Sequence, residues 1–305
     1  MAADMTKILV LVNPSAGSVD DGGGGSDPTR EEGPLRAAVE QLRKSGSVDV
    51  VVMESNDGLR AATADLDDDT VYAVAGGDGT LHRVLNVLKD RPRPYLLIPA
   101  GTGNDFAAGA GVPEDLEDAA RLMSTASPRP FDLVDVDGIL AMNAAHLGIG
   151  VSAAQAASGW KDSLGRLAYP AGAVSAFKDF QPSRVTAVLD GTTVIADEEI
   201  SLLAICNGST MGGGTVLCPD ARPDDGVMNV VIMQASTPMS LAVTAADLLR
   251  GCHLDRDDVI HLRGERVDVT VHGCDAVSWN IDGELTDLPP DVRCQIRPGA
   301  WQLIA

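Results

Sequence analysis

Residues 71–80, VYAVAGGDGT, decide the fold. Residues 71–75 are apolar without alternation, which suits a strand buried on both faces. Two glycines and an aspartate close it. From Thr80 to Lys89 the chain sets Leu81, Val84, Leu85 and Leu88 at i, i+3, i+4 and i+7, one face of a helix. Strand, glycine turn and helix make half of a parallel βαβ unit. The flanks repeat the pattern. KILVLV at 7–12 reads as a strand, and 35–44 as a helix with Leu35, Val39 and Leu42 on one side. Residues 48–53 and 95–98 read as strands, 59–64 as a short helical piece and 113–124 as an amphipathic helix. This alternation predicts an α/β domain with a doubly wound parallel sheet.

Beyond about residue 132 the character changes. Runs at 185–189 and 193–196 flank Asp190-Gly191, a strong hairpin signal. Further strand patterns fall at 200–206, 228–233, 266–271, 276–281 and 292–297, with helices expected at 164–177 and 239–252. Many antiparallel strands in succession predict a β-sandwich. The expected division is an α/β domain over 1–132, to which 298–305 returns as a last strand, and a β-sandwich domain over 133–297. Residues 18–33, SVDDGGGGSDPTREEG, form a low-complexity insertion of solvated character.

Composition excludes several classes. The 305 residues hold 23 Lys+Arg and 44 Asp+Glu, a formal net charge of −21. That field has the wrong sign for nucleic acid, and for a polybasic lipid anchor. No apolar stretch reaches the length of a bilayer span. The five cysteines are widely spaced and contain no CxxC, so neither a zinc site nor a disulfide framework is signalled. A cytoplasmic protein is expected.

Three turns follow predicted strands: Asn13-Pro14-Ser15-Ala16-Gly17-Ser18, then Gly76-Gly77-Asp78-Gly79-Thr80, then Pro99-Ala100-Gly101-Thr102-Gly103-Asn104-Asp105-Phe106. In an open parallel sheet, ligands bind outside the carboxyl ends of the strands. Glycines let backbone amides approach phosphate, and hydroxyls add donors. Neither GxxxxGK[ST] nor GxGxxG is present at the second or third turn. With no Walker lysine, a carboxylate such as Asp78 or Asp105 suits phosphate only across a Mg²⁺ ion or its waters. Late in the chain, Asp282-Gly283-Glu284 ends a predicted strand and offers a base, although Asp-Gly is equally a turn pair. Residues 219–227, PDARPDDGV, are acidic enough for a cation site or for an ordinary solvated turn.

Taken in order, GGDGT at 76–80, PAGTGNDFA at 99–107, PDARPDDG at 219–226 and DGE at 282–284 resemble the diacylglycerol kinase catalytic-domain family. The likeness is to its bacterial and archaeal lipid kinases, a branch that includes sphingosine-kinase-like members, and it covers nearly the whole chain. It implies an N-terminal α/β nucleotide domain resembling that of NAD kinases, a β-sandwich lipid domain, and ATP in the cleft as co-substrate. It implies transfer of the γ-phosphate to a lipid hydroxyl such as that of diacylglycerol. Asn13, Gly76, Gly77, Asp78, Gly79, Thr80 and Thr102 would hold the nucleotide, with Ser55 in place of a nucleotide-contacting threonine. Glu284 would accept the hydroxyl proton. Asp78, Asp105 and Asp135 would form an aspartate–water–Mg²⁺ network. Asp225, with the backbone carbonyls of Arg222 and Val227, would hold a separate structural Mg²⁺. The resemblance also implies peripheral contact with a membrane surface, and a homodimer. His82 and Arg83 depart from the common Asn and Glu, and His82 is expected to be a polar helix-face residue. An apolar mouth for the acyl chain is expected at 164–180.

Two other functions are consistent with parts of this pattern. NAD kinases share GGDGT, and a non-enzymatic lipid carrier or regulator is the other class, although it would need neither GGDGT nor DGE. Gly148–Ala153 matches GxGxxA, but no strand–helix unit with an acid about 20 positions on follows it. Ser15 lacks the GxSxG context of a hydrolase.

Overall fold

Strand β1 (Thr6–Val12) is buried from Ile8 to Val12, as an unbroken apolar run requires when both faces are covered. The computed structural model describes residues 6–14, 35–91, 93–149, 151, 181–211, 214–235 and 237–305. The turn residues Ser15, Ala16, Gly17 and Ser18, the insertion at 18–33, the helix expected at 164–177, the mouth expected at 164–180 and part of the GxGxxA stretch lie outside them. The chain forms two compact units, Met1–Phe131 with Gly299–Ala305, and Asp132–Pro298.

The first unit alternates as expected. After β1 come α1 (Arg36–Arg43), β2 (Gly46–Val52), α2 (Asn56–Ala62), β3 (Val71–Gly76), α3 (Asp78–Val87), β4 (Pro94–Pro99), α4 (Asp105–Gly109) and α5 (Leu116–Thr125). The strands pair in parallel in the order β2-β1-β3-β4. The order runs β1-β3-β4 on one side and back to β2 on the other, which is the doubly wound arrangement. Helix α5 starts where Asp115 accepts hydrogen bonds from the N–H groups of Glu117 and Asp118, both 2.9 Å. Trp301 packs its ring 5.4 Å from those of Tyr95 and Phe106 and 5.9 Å from Phe131, which holds the returning segment in this core.

Among its described residues the second unit is mostly β, with one long helix, one helical turn and helical backbone at Ile149 and Val151. Strand β5 (Pro128–Val136) leads into it. There follow β6 (Ile139–Ala141), β7 (Ala144–Gly148), β8 (Ser183–Leu189), β9 (Thr192–Ile200), β10 (Leu202–Cys206), β11 (Thr210–Met211), β12 (Thr215–Val216) and β13 (Met228–Met233). Helix α6 (Pro238–Arg250) precedes β14 (Val259–Gly264), β15 (Arg266–Val271), β16 (Val277–Ile281), β17 (Glu284–Leu288) and β18 (Asp291–Ile304). One sheet is six-stranded, β14-β13-β10-β7-β16-β17, with neighbours antiparallel. The other pairs β18, β15, β8 and β9 antiparallel, with β5 beside β18 and β6 beside β5. Alternate residues of both sheets, among them Leu203, Ile205, Val267, Val269, Trp279 and Ile281, share one buried core. That is the sandwich the sequence predicts.

The strand expected at 292–297 and the last strand expected in 298–305 are one in the structure. β18 pairs with β15 over Asp291–Gln295 and with β4, in parallel, at Gln302 and Leu303. Pro298 and Gly299 (φ 59°) mark the change of partner rather than an end. Among the described residues, no helix is long and apolar enough to cross a membrane.

Candidate active site

At the carboxyl ends of β1, β3 and β4 the described glycine turns are locked together by side chains. The Asn13 amide donates to the Thr80 hydroxyl at 2.9 Å, and the Asn13 N–H to the Ala75 carbonyl at 3.2 Å. Thr80 is buried and lies across Gly76, where an added Cβ would come within 2.4 Å of its oxygen. Gly77 starts α3 and rests on Gly101 of the next turn. A Cβ on Gly101 would fall 2.3 Å from the Gly77 Cα. These glycines are required for backbone-to-backbone approach.

Asp78 completes the clasp. Its carboxylate accepts the N–H of Asp105 at 2.8 Å and that of Phe106 at 3.1 Å, binding the start of α3 to the start of α4. Asn104, missed in the sequence reading, holds the third turn from inside. It sits at φ 55°, a left-handed conformation that asparagine tolerates better than most residues. Its oxygen accepts the Gly101 N–H at 3.1 Å, and its amide donates to the carbonyls of Pro99 (3.0 Å) and Gly101 (2.9 Å). A small pocket opens here, lined by Gly77, Asp78, Leu81, Leu97 and Asn104. Gly79 and Thr102 are exposed at its surroundings in the chain.

The remaining first-unit candidates have definite local partners. Ser55 caps α2, its hydroxyl accepting the Gly58 N–H at 3.0 Å. Arg83 ties α3 to the start of α2, donating to the Asn56 side chain at 2.6 Å and to the Met53 carbonyl at 3.2 Å. His82, expected on a polar helix face, is instead buried, with Asn86 donating to its backbone carbonyl at 3.0 Å.

In the second unit Glu284 is exposed as the first residue of β17, and no described residue pairs with its carboxylate. The turn before it is a hairpin, with Asp282 at φ 51° and Gly283 at φ 94°. Asp282 also has a second task. Its carboxylate accepts three backbone N–H groups, from Met142 (2.7 Å), Asn143 (2.9 Å) and Ala144 (3.0 Å). Asn280 accepts the Gly283 N–H at 2.9 Å. Three N–H groups on one carboxylate are worth more than a neutral turn. Asp282→Ala is expected to lower the unfolding free energy by about 2–4 kcal/mol in a urea titration. Glu284→Ala should change it by no more than about 0.5 kcal/mol. Equal effects would show that the Asp282 bonds hold nothing in place.

Beside Asn280 in the register is His146, on the sheet face away from the sandwich core. Burial pushes its pKa down to about 4, so it is a neutral imidazole at ordinary pH.

Asp135 accepts the Gly138 N–H at 2.6 Å and pairs with Arg297. Asp225 pairs with Arg263 and accepts the Val227 N–H at 3.3 Å, while Arg222 reaches Asp224 at 3.4 Å. The sequence reading passed over Asp132, which fastens this acidic loop. It is buried, accepts the Gly226 N–H at 2.7 Å and donates its own N–H to the Pro223 carbonyl at 2.7 Å. Asn207 donates to the carbonyls of Asp132 (3.0 Å) and Met142 (2.8 Å). No cluster of three or more His, Cys, Asp or Glu side chains able to cage a metal occurs among the described residues. The donors fit a hard cation that keeps its own waters, since one or two carboxylates with carbonyls are the usual protein share for Mg²⁺. At Asp225, Arg263 already takes part of that charge.

Comparison with known proteins agrees with this anatomy. Residues 7–136 match the diacylglycerol kinase catalytic domain, and 143–305 match the YegS C-terminal NAD kinase beta sandwich-like domain. A Pseudomonas putida protein named "Probable lipid kinase YegS-like" is 34% identical over 275 residues, covering 88% of this chain and 89% of that one. The Bacillus subtilis protein named "Diacylglycerol kinase" is 32% identical over 234 residues, covering 75% and 76%. A solved structure described as a diacylglycerol kinase from Bacillus anthracis str. Sterne has a TM-score of 0.69 at 18% identity, covering 98% of this chain and 96% of that one. A second structure from that organism reaches 0.78 at 21% identity, covering 100% and 96%. An α/β unit with clasped glycine turns, joined to a β-sandwich, defines a class of two-unit kinases. The chain belongs to the diacylglycerol kinase catalytic-domain family, in the group that carries the YegS-type C-terminal domain.

Proposed function

We propose that this protein transfers the γ-phosphate of ATP to the hydroxyl of a lipid of the diacylglycerol kind at a membrane surface. The reading assigns 1–132 with 298–305 to the nucleotide and 133–297 to the lipid. The observation that carries it is the clasp of Asp78 on the third turn, which makes two glycine turns one rigid cradle at the sheet edge where ligands bind. Amides of Gly76, Gly77 and Gly79 and the Thr102 hydroxyl would face the phosphates. Asn13 and Thr80 brace them from behind, and Ser55 fixes the adjoining helix. When bound, Mg²⁺ neutralises phosphate charge. Asp78, Asp105 and Asp135 are the carboxylates proposed to hold it through water, and Asp225 with the Arg222 and Val227 carbonyls a second ion.

Glu284 takes the proton from the lipid hydroxyl as its oxygen bonds to the γ-phosphorus, and the bond to the ADP oxygen breaks. Its exposure, and a carboxylate that no described residue pairs with, suit a base that must meet an incoming substrate. The test is a panel of diacylglycerol, sphingosine, phosphatidylglycerol and NAD with radiolabelled ATP, products identified by mass. Label in a lipid product is expected. Label in NAD alone, or in no acceptor, overturns the reading.

A further inference from the structure

Helix α6 turns an apolar face to water. Met239 is 74% exposed, Leu249 83% and Val243 42%, and Val216 on neighbouring β12 is 42% exposed. At about 100° per residue, Met239, Ala242, Val243, Ala246 and Leu249 form a single stripe. Leu241 and Thr244 are buried on the other side. The helix is rigidly ended, by a Thr237–Ser240 capping box and by Gly251 in the left-handed conformation.

Charge on this helix is arranged in one direction. The chain carries 44 Asp+Glu, yet the stripe has no carboxylate. The helix's single acid, Asp247, is turned off the stripe onto Arg256 at 2.9 Å and Arg250 at 3.5 Å. The Arg250 side chain, at the end of the helix, is 71% exposed.

We propose that α6 is the surface by which this protein lies on a lipid–water interface, with Met239, Val243 and Leu249 entering the acyl boundary. This rests on the lipid-kinase reading for the identity of the partner. A second copy of the chain is the poorer occupant on area. Thirteen residues make a helix about 20 Å long and about 10 Å across, a footprint of roughly 200 Å² against about 800 Å² per partner in a stable complex. A fluid interface demands no shape complementarity and is entered by amphipathic helices through such a stripe. Lipid phosphates repel a chain of net charge −21, so an acid-free face ending in an arginine is the face they tolerate.

The test uses the full chain, phosphatidylcholine vesicles containing a few mole per cent diacylglycerol, and the triple variant Met239→Ser, Val243→Ser, Leu249→Ser. Vesicle partitioning is expected to fall roughly tenfold to a hundredfold. The melting temperature and the turnover of a short-chain diacylglycerol dissolved as monomers should be unchanged. In a separate Leu249→Trp variant, the emission of the new indole should shift to the blue when vesicles are added. Unchanged partitioning in the triple variant, no partitioning by the parent protein, or an unshifted indole overturns the proposal. A fall in sedimenting mass with partitioning unchanged also overturns it, and makes the stripe a contact between copies. Partitioning that depends on α6, in a protein that phosphorylates no lipid, supports the docking surface and removes the kinase reading alone.

Discussion

Glu284→Gln is expected to lower kcat toward a lipid acceptor by roughly 10²–10⁴-fold, the range for loss of a general base. Glutamine keeps the volume and loses the proton-accepting charge. Glu284 is exposed at the start of β17 and no described residue pairs with its carboxylate, so the substitution should cost no more than about 0.5 kcal/mol of stability. The Asp78 clasp and the glycine turns belong to the other unit, and ATP affinity should be unchanged. The measurements are kcat, equilibrium binding of a fluorescent ATP analogue, and a urea titration. A pH–rate profile adds a sharper readout, because any acid limb due to Glu284 should vanish in the variant. Turnover close to that of the parent protein would remove Glu284 from the mechanism.

The second large effect is expected at Gly101→Ala. The new Cβ would lie 2.3 Å from the Gly77 Cα, 2.8 Å from the Gly77 nitrogen and 2.7 Å from the Asn104 oxygen. Two of those atoms are backbone and cannot rotate away. The turns must separate, at a cost of about 1–3 kcal/mol for overpacking. Separation pulls the N–H groups of Asp105 and Phe106 from the Asp78 carboxylate. ATP affinity should therefore fall at least ~10-fold, the equivalent of about 1.4 kcal/mol, with a lower melting temperature. Gly109→Ala is the control, because a Cβ there meets nothing within 4 Å. It should bind ATP normally and be as stable as the parent or slightly more so. Normal ATP binding by Gly101→Ala would mean that the two turns do not act as one cradle.

Where hydrophobic pattern sufficed, the architecture was legible. The runs behind β1, β3 and β4 had no alternation, and only a strand covered on both faces needs that. Asp190-Gly191 announced the β8–β9 hairpin, and the pair adopts φ 48° and 80°. The same dipeptide at Asp137-Gly138 makes the β5–β6 turn, at φ 48° and 94°, and went unread. Asn104 also had a usable signal, an asparagine after glycine at the mouth of a helix.

The bonds that fasten the site were not legible, because their partners are remote in sequence. Asp282 is about 140 residues from the N–H groups it accepts, and Asp132 is 94 residues from Gly226. Nothing local distinguishes Asp132 from Asp135 in FDLVDVD, yet one is buried under a loop and the other pairs with Arg297. The Asp282-Gly283-Glu284 motif was ambiguous for a physical reason. It is both a hairpin and an anchor, and an aspartate that tolerates a left-handed backbone does both jobs with one side chain.

Strand β18 has a consequence for biosynthesis. Trp301 and its neighbours fill a core whose other aromatic residues were laid down some 170 to 200 positions earlier. During translation the first domain therefore emerges with a gap beside β4 that local folding cannot fill. It stays open until β18 leaves the ribosome tunnel, and because the same strand also pairs with β15, the β-sandwich and its older neighbour receive their last strand together.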